Sequence, residues 1–142
     1  MLQTKLKEKD VSSNILIGGI ENKDRDTIID NFRKQIYKCL ISTNVLARGI
    51  DVPEVDLVIN YDVPTVMDCG FMNPDYANFM HRVGRTGRFG TDGLSLTITT
   101  DEHDEEFVDL IAKHYEIEIT KLENFEDLKK IFEEMRGDLL KK

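Results

Sequence analysis

Short apolar runs alternate along this chain with segments whose apolar residues recur at helical spacing, and that alternation limits the fold more than any other property. Asn14 to Ile17, Tyr37 to Ser42, Asp56 to Tyr61 and Gly93 to Thr99 read as strands. Leu2 to Lys9 reads as a helix, as do segments carrying Ile28, Ile29 and Phe32, then Tyr76, Phe79 and Met80, then Phe107, Leu110 and Ile111. Phe125 to Arg136 forms the last helix, after a short extended piece near Ile117 to Leu122. Strands that take turns with helices imply an α/β fold, a parallel sheet with helices on both faces. In such a sheet ligands sit at the carboxyl ends of the strands. At 142 residues the chain is one domain, 1–142.

Punctuation residues refine this reading. Gly18-Gly19 ends the first strand, Asn22 can cap the helix that follows, and Asp101 can cap the helix holding Phe107. Asn73-Pro74 reads as an N-cap with proline in the first helical turn. The stretch Val66 to Met72 before it reads as a mobile loop.

A composition of 40% apolar and 32% charged residues is that of a soluble globular protein, and no apolar run approaches the ~18 residues of a membrane span. Cys39 and Cys69 have no metal-like spacing, Cys39 sits in an apolar run, and no metal site is expected. The net charge of −8 argues against nucleic acid until it is placed along the chain. From Asp101 onward there are 14 acidic and 7 basic residues, net −7, whereas the first 100 residues hold 13 acidic and 12 basic, net −1. The acidity belongs to the tail, so a local arginine face can still meet phosphates.

That face is His81-Arg-Val-Gly-Arg-Thr-Gly-Arg88, with arginines at Arg82, Arg85 and Arg88 and glycines at Gly84 and Gly87. Guanidinium groups bind phosphate oxygens in bidentate fashion and keep their charge, so several aimed one way suit a polyphosphate. Glycine beside each later arginine lets the backbone approach a ligand closely. A solvated basic turn is the plainer reading. A second motif, Thr43-Asn-Val-Leu-Ala-Arg-Gly-Ile-Asp51, directly follows a strand.

Together the two motifs resemble motifs V and VI of the C-terminal lobe of the DEAD-box ATP-dependent RNA helicases. Val55 to Asp62 is similar to the strand that follows motif V. Gly18 with Asn22 and Arg25 resembles motif IVa, where the family has glutamine in place of Asn22. Sixteen residues separate Pro64 from His81, including Asn73-Pro74-Asp75. Such an insertion resembles the mRNA-export subgroup that acts at the nuclear pore, as does the tail from Tyr115 to Glu134. Relatives open this lobe with an apolar strand and motif IV. Neither precedes Met1, so the resemblance implies a three-layer RecA-like lobe truncated at its N-terminus and lacking its first strand.

The resemblance assigns roles residue by residue. Arg85 and Arg88 match arginine fingers on the transferred γ-phosphate of ATP, and His81 matches the residue that reaches the partner lobe's acidic box. Asp51 matches the ribose-binding aspartate, with a turn cap beside Pro53 as the other reading. Gly49 accompanies it at the nucleotide. For RNA, Thr43 and the backbone at Gly49 match phosphate contacts, joined by Gly18 and Arg25 of motif IVa. Arg25 could instead pair with Glu21 on its own helix, and Arg48 could serve RNA or the link between lobes. Arg82 braces the motif internally.

The implied activity is an RNA-dependent ATPase that remodels RNA or RNA–protein complexes, in cytoplasm and nucleus and at the cytoplasmic face of the pore. Its implied partners are single-stranded RNA, a first RecA-like lobe in cis that holds Mg2+ with ATP, and an export activator with inositol hexakisphosphate. No membrane is implied. A DNA-directed superfamily 2 lobe and a non-catalytic regulator-binding module are the alternatives.

No Walker A loop and no Asp-Glu-Ala-Asp box occur in the sequence. The isolated chain should therefore show no ATP turnover with saturating RNA and magnesium-ATP. Phosphate release that scales with protein would overturn its reading as half of a motor.

Overall fold

The computed structural model describes residues 1–43, 55–86 and 93–141, with side chains up to 135 in the last helix. Helix α1 (Leu2–Glu8) and strand β1 (Ser13–Leu16) are followed by α2 (Asn22–Arg33) and β2 (Cys39–Ser42). β1 and β2 pair in parallel, from Ser13 opposite Cys39 to Leu16 opposite Ser42. Parallel neighbours need a crossover, and α2 supplies it, burying Ile29 beside a fully buried Leu16. The rings of Phe32 and Tyr37 stack at 6.0 Å, and the Tyr37 hydroxyl donates to the Ile28 carbonyl. Tyr37 thus closes the turn after α2, which is why the strand starts at Cys39 and not at Tyr37. Asn22 does not cap α2. Glu21 occupies that position in extended backbone without a side-chain bond, and Asn22 is already helical.

The second half repeats the plan. β3 (Leu57–Asn60) pairs in parallel with β6 (Leu94–Thr97), with Leu57 opposite Leu94 and Asn60 opposite Thr97. Helices α3 (Tyr76–Val83) and α4 (Glu102–Tyr115) meet over a core of Val63, Phe79, Phe107 and Ile111. Full burial of such side chains stabilises by ~1.5–3 kcal/mol each. The Tyr115 hydroxyl donates to the Tyr76 carbonyl at 2.8 Å, tying the end of α4 to the start of α3. Asp101 caps α4 as expected, its Oδ1 accepting from the Asp104 amide at 2.8 Å. α5 (Phe125–Lys141) runs past the expected end at Arg136. Glycine costs ~1 kcal/mol in a helix interior, so Gly137 weakens α5 without stopping it.

The stretch expected as a mobile loop is an antiparallel hairpin. β4 (Thr65–Asp68) pairs with β5 (Phe71–Pro74) through a two-residue turn, with φ of 49° at Cys69 and 81° at Gly70. Two positive φ values are what a type I′ hairpin turn requires, because its twist matches that of the strands. The expected cap moves accordingly. Asn73 and Pro74 end β5, and Asp75 caps α3, its Oδ1 accepting from the Asn78 amide at 3.1 Å. The Asp75 amide donates to the Pro64 carbonyl at 2.8 Å and closes the hairpin at its base. Among the described residues the parallel strands form two separate pairs, and no described helix is long and apolar enough to cross a membrane.

The two thiols differ in environment. Burial pushes the Cys39 thiol up from its ordinary range, while Cys69 stands exposed on the hairpin turn. A disulfide reagent at neutral pH should modify Cys69 at least about tenfold faster than Cys39, because the thiolate is the reactive form. Equal rates in the folded chain would contradict the β2 and hairpin placements.

Candidate functional site

The end of α3 carries the arginine motif. Phe79 is buried, His81 faces solvent, and Arg82 turns back toward β3. Its Nη1 donates to Asp62 Oδ1 and to the Asp62 carbonyl, both at 3.2 Å, and to Asn60 Oδ1 at 3.4 Å. Asn60 is only 1% exposed, and its Nδ2 donates to Thr97 Oγ1 at 3.1 Å. One buried amide therefore links α3, β3 and β6. Asp62 is 78% exposed, so its ion pair with Arg82 adds no more than ~1 kcal/mol. The buried amide matters more, since losing it would strand polar groups away from water at ~1–3 kcal/mol. Asn60 escaped notice in the sequence, where the only signal is a polar residue closing the run Leu57-Val58-Ile59.

Beyond Val83 the chain leaves the helix in tight turns. The Gly84 amide donates to the Met80 carbonyl at 2.7 Å, and the Thr86 amide and hydroxyl both donate to the Val83 carbonyl, at 3.0 and 3.1 Å. The Arg85 carbonyl accepts from the Val55 amide at 2.9 Å, fixing this turn to the entry of β3. Gly84 has ordinary right-handed backbone, φ −63°. Its requirement is steric, because an added Cβ would lie 2.9 Å from the Met80 carbonyl oxygen. Packing against the helix end therefore requires a glycine here, apart from any approach to a ligand. Arg85 is half-buried in the turn, whereas Arg82 is committed to Asn60 and Asp62.

A second group gathers at the carboxyl ends of β1 and β2. The Thr43 amide donates to the Leu16 carbonyl at 3.3 Å and extends the ladder by one step. Thr43 follows directly on Ser42, which lies opposite Leu16, and both Thr43 and Gly18 are exposed. Arg25 lies in the first turn of α2, half-buried, with Nε shielded and without a hydrogen-bond partner. Only its backbone joins Glu21, amide to carbonyl at 3.0 Å, and among the described residues no side-chain ion pair links the two. Arg48, Gly49, Asp51 and Arg88 lie outside the described residues.

Residues 1–90 match the family model of the helicase conserved C-terminal domain. The ATP-dependent RNA helicase DBP5 of Kluyveromyces lactis is 45% identical over 123 residues, covering 86% of this chain and 26% of that protein. The chain spans about a quarter of the length of the curated relatives it matches, 26% again for the Lodderomyces elongisporus protein. A structure of the C-terminal domain of the DEAD-box protein Dbp5 superposes with a TM-score of 0.84 at 39% identity, covering 94% of this chain and 74% of that one. Saccharomyces cerevisiae Dbp5 bound to RNA and ADP BeF3 has a TM-score of 0.80 at 39% identity, covering 94% and 34%. A variant of the same yeast protein bound to a Gle1 variant and IP6 reaches 0.82 at 39% identity, with the same coverage of 94% and 34%. The parallel strands, the braced arginine helix and these likenesses agree: the chain belongs to the helicase conserved C-terminal domain family, as a DEAD-box C-terminal lobe of the Dbp5 kind.

Proposed function

We propose that this lobe is the finger-bearing half of an ATP-dependent RNA helicase that acts in mRNA export. The observation that carries the reading is the anchored motif at the end of α3, on a lobe similar to one known with RNA and ADP BeF3. Arg82 is spent on structure, so Arg85 and Arg88 are left to meet the γ-phosphate of ATP held by the first lobe. Fixed guanidinium groups oppose charge that develops in the transition state and lose no energy to reorganisation. His81, exposed one residue before the anchor, is placed to report closure to the partner lobe. Asp51 and Gly49 complete the nucleotide contacts on the ribose side. The magnesium that accompanies ATP is assigned to the first lobe.

RNA runs, on this reading, over the carboxyl ends of β1 and β2. Gly18, Thr43 and Gly49 offer hydroxyl and backbone donors, and Arg25 and Arg48 offer charge. Such donors read phosphates and carry no base information. The likeness to yeast Dbp5 with Gle1 and IP6 supports an activator of that kind and a place at the nuclear pore.

In the two-lobed protein, Arg85→Ala or Arg88→Ala should lower kcat on the order of 10³-fold with little change in nucleotide KM. Asn60→Ala reaches the site through Arg82, besides losing the bond to Thr97, and should cost less, roughly 10- to 100-fold. A rate within about threefold of wild type for an arginine variant, under 1 kcal/mol, would remove its assignment as a finger.

Thr43→Val keeps shape and β-branching but deletes a donor. Affinity for single-stranded RNA with a non-hydrolysable ATP analogue should fall by ~1–3 kcal/mol, equally on poly-U and poly-A at fixed salt. Unchanged affinity would make Thr43 a structural residue only. ATPase stimulated by DNA as strongly as by RNA would favour the DNA-directed alternative.

A further inference from the structure

The hairpin and the groove beside it take no part in the nucleotide or RNA reading. Directly opposed residues of an antiparallel pair point the same way, so Met67 and Met72, which face each other, share one side with Thr65 and Pro74. That side borders a groove between the carboxyl ends of β3 and β6 and the first turns of α4. Its apolar lining is Tyr61, Val63, Met72, Ile98 and Phe107. Val63 and Phe107 form its floor as members of the core. Tyr61 and Met67 are 70% and 61% exposed, and Met72 and Ile98 nearly half. Apolar side chains left facing water side by side mark a contact surface, and methionine suits one that must adapt to its ligand.

Charge selects the ligand. Asp62 and Asp104 line the groove, and the first turn of α4 adds Glu102 and Glu105. Arg82 and Lys121 stand near, Lys121 with its Nζ 3.0 Å from Glu105 Oε2. Arg82 is already bonded to Asp62 and Asn60, and His103 lies 4.0 Å from Glu106. The field over the groove is therefore negative, which repels phosphates and draws basic groups. We propose that this groove docks a peptide segment of a protein partner in which apolar and basic side chains alternate. The apolar side chains cover Tyr61, Met67 and Met72, and the basic ones meet the carboxylates around them.

The test uses the 142-residue chain with isotope-labelled methionine methyl groups and a peptide of about twelve residues alternating leucine and lysine. Saturable shifts at Met67 and Met72, with Met1, Met80 and Met135 unmoved, are expected. Affinity should drop about tenfold or more in a Met67→Ser/Met72→Ser double variant, whose altered side chains both lie on the surface. Peptides alternating leucine with glutamate, or serine with lysine, should bind no better than that variant. Unmoved Met67 and Met72 signals, or equal binding of the serine–lysine peptide, would overturn the proposal. So would the same shifts produced by oligouridylate, or by raising the chain concentration alone, which would give the face to RNA or to a second copy.

Discussion

The buried amide of Asn60 is the interaction on which the arginine motif depends. It sits under α3, takes a hydrogen bond from Arg82 and gives one to Thr97. A buried polar group is costly unless satisfied, so this side chain has one acceptable arrangement and enforces it on three elements at once. The helix end that presents His81 and Arg85 is thereby referenced to β3 and β6 and not to solvent. The backbone bond from Val55 to Arg85 adds a second fixed point at the entry of β3. On the proposed reading Arg85 meets developing charge, and a group with that task must be held before the charge appears.

Division of labour among the arginines follows from the same geometry. Side chains three apart lie on one side only while the helix lasts, and α3 ends at Val83. Arg82 belongs to the last helical turn and reaches the sheet. Arg85 belongs to the turn beyond it, whose backbone is held by the hydrogen bonds of Gly84 and Thr86. Gly84 earns its place by having no side chain, since the Met80 carbonyl fills the space a Cβ would need.

Much of this was legible in the sequence. The parallel α/β plan follows from apolar runs such as Leu57-Val58-Ile59 between helical periods, and the Asp101 cap follows from a short acceptor just ahead of an amphipathic segment. What stayed hidden depended on choices between neighbours. Asn73 and Asp75 are both good caps, and the hairpin ladder decides between them by holding Asn73 in a strand. The Cys69-Gly70 turn lacks the Asn-Gly or Asp-Gly pair that announces a type I′ hairpin, so β4 and β5 read as loop. Asn60 was invisible because a polar residue at a strand end reads as exposed, and only the approach of Arg82 and Thr97 makes burial tolerable. The pairing of Leu16 with Ser42, which brings the Thr43 amide to the Leu16 carbonyl, is a register fact, and single strands carry no register.

The hydrogen bond from the Asp75 amide to the Pro64 carbonyl has a consequence for how this lobe can diverge. It brings the two ends of the insertion together at one point, ahead of the residue that caps α3. Whatever lies between them is an appendage on a fixed stem, and lengthening or shortening it leaves the helix start where it is. Loop closure grows only slowly with length, by ~0.6 kcal/mol per doubling, so such growth meets little thermodynamic resistance. The stem separates α3 and the turn after it from the appendage, so sequence change there can alter what the lobe touches while the helix end stays put.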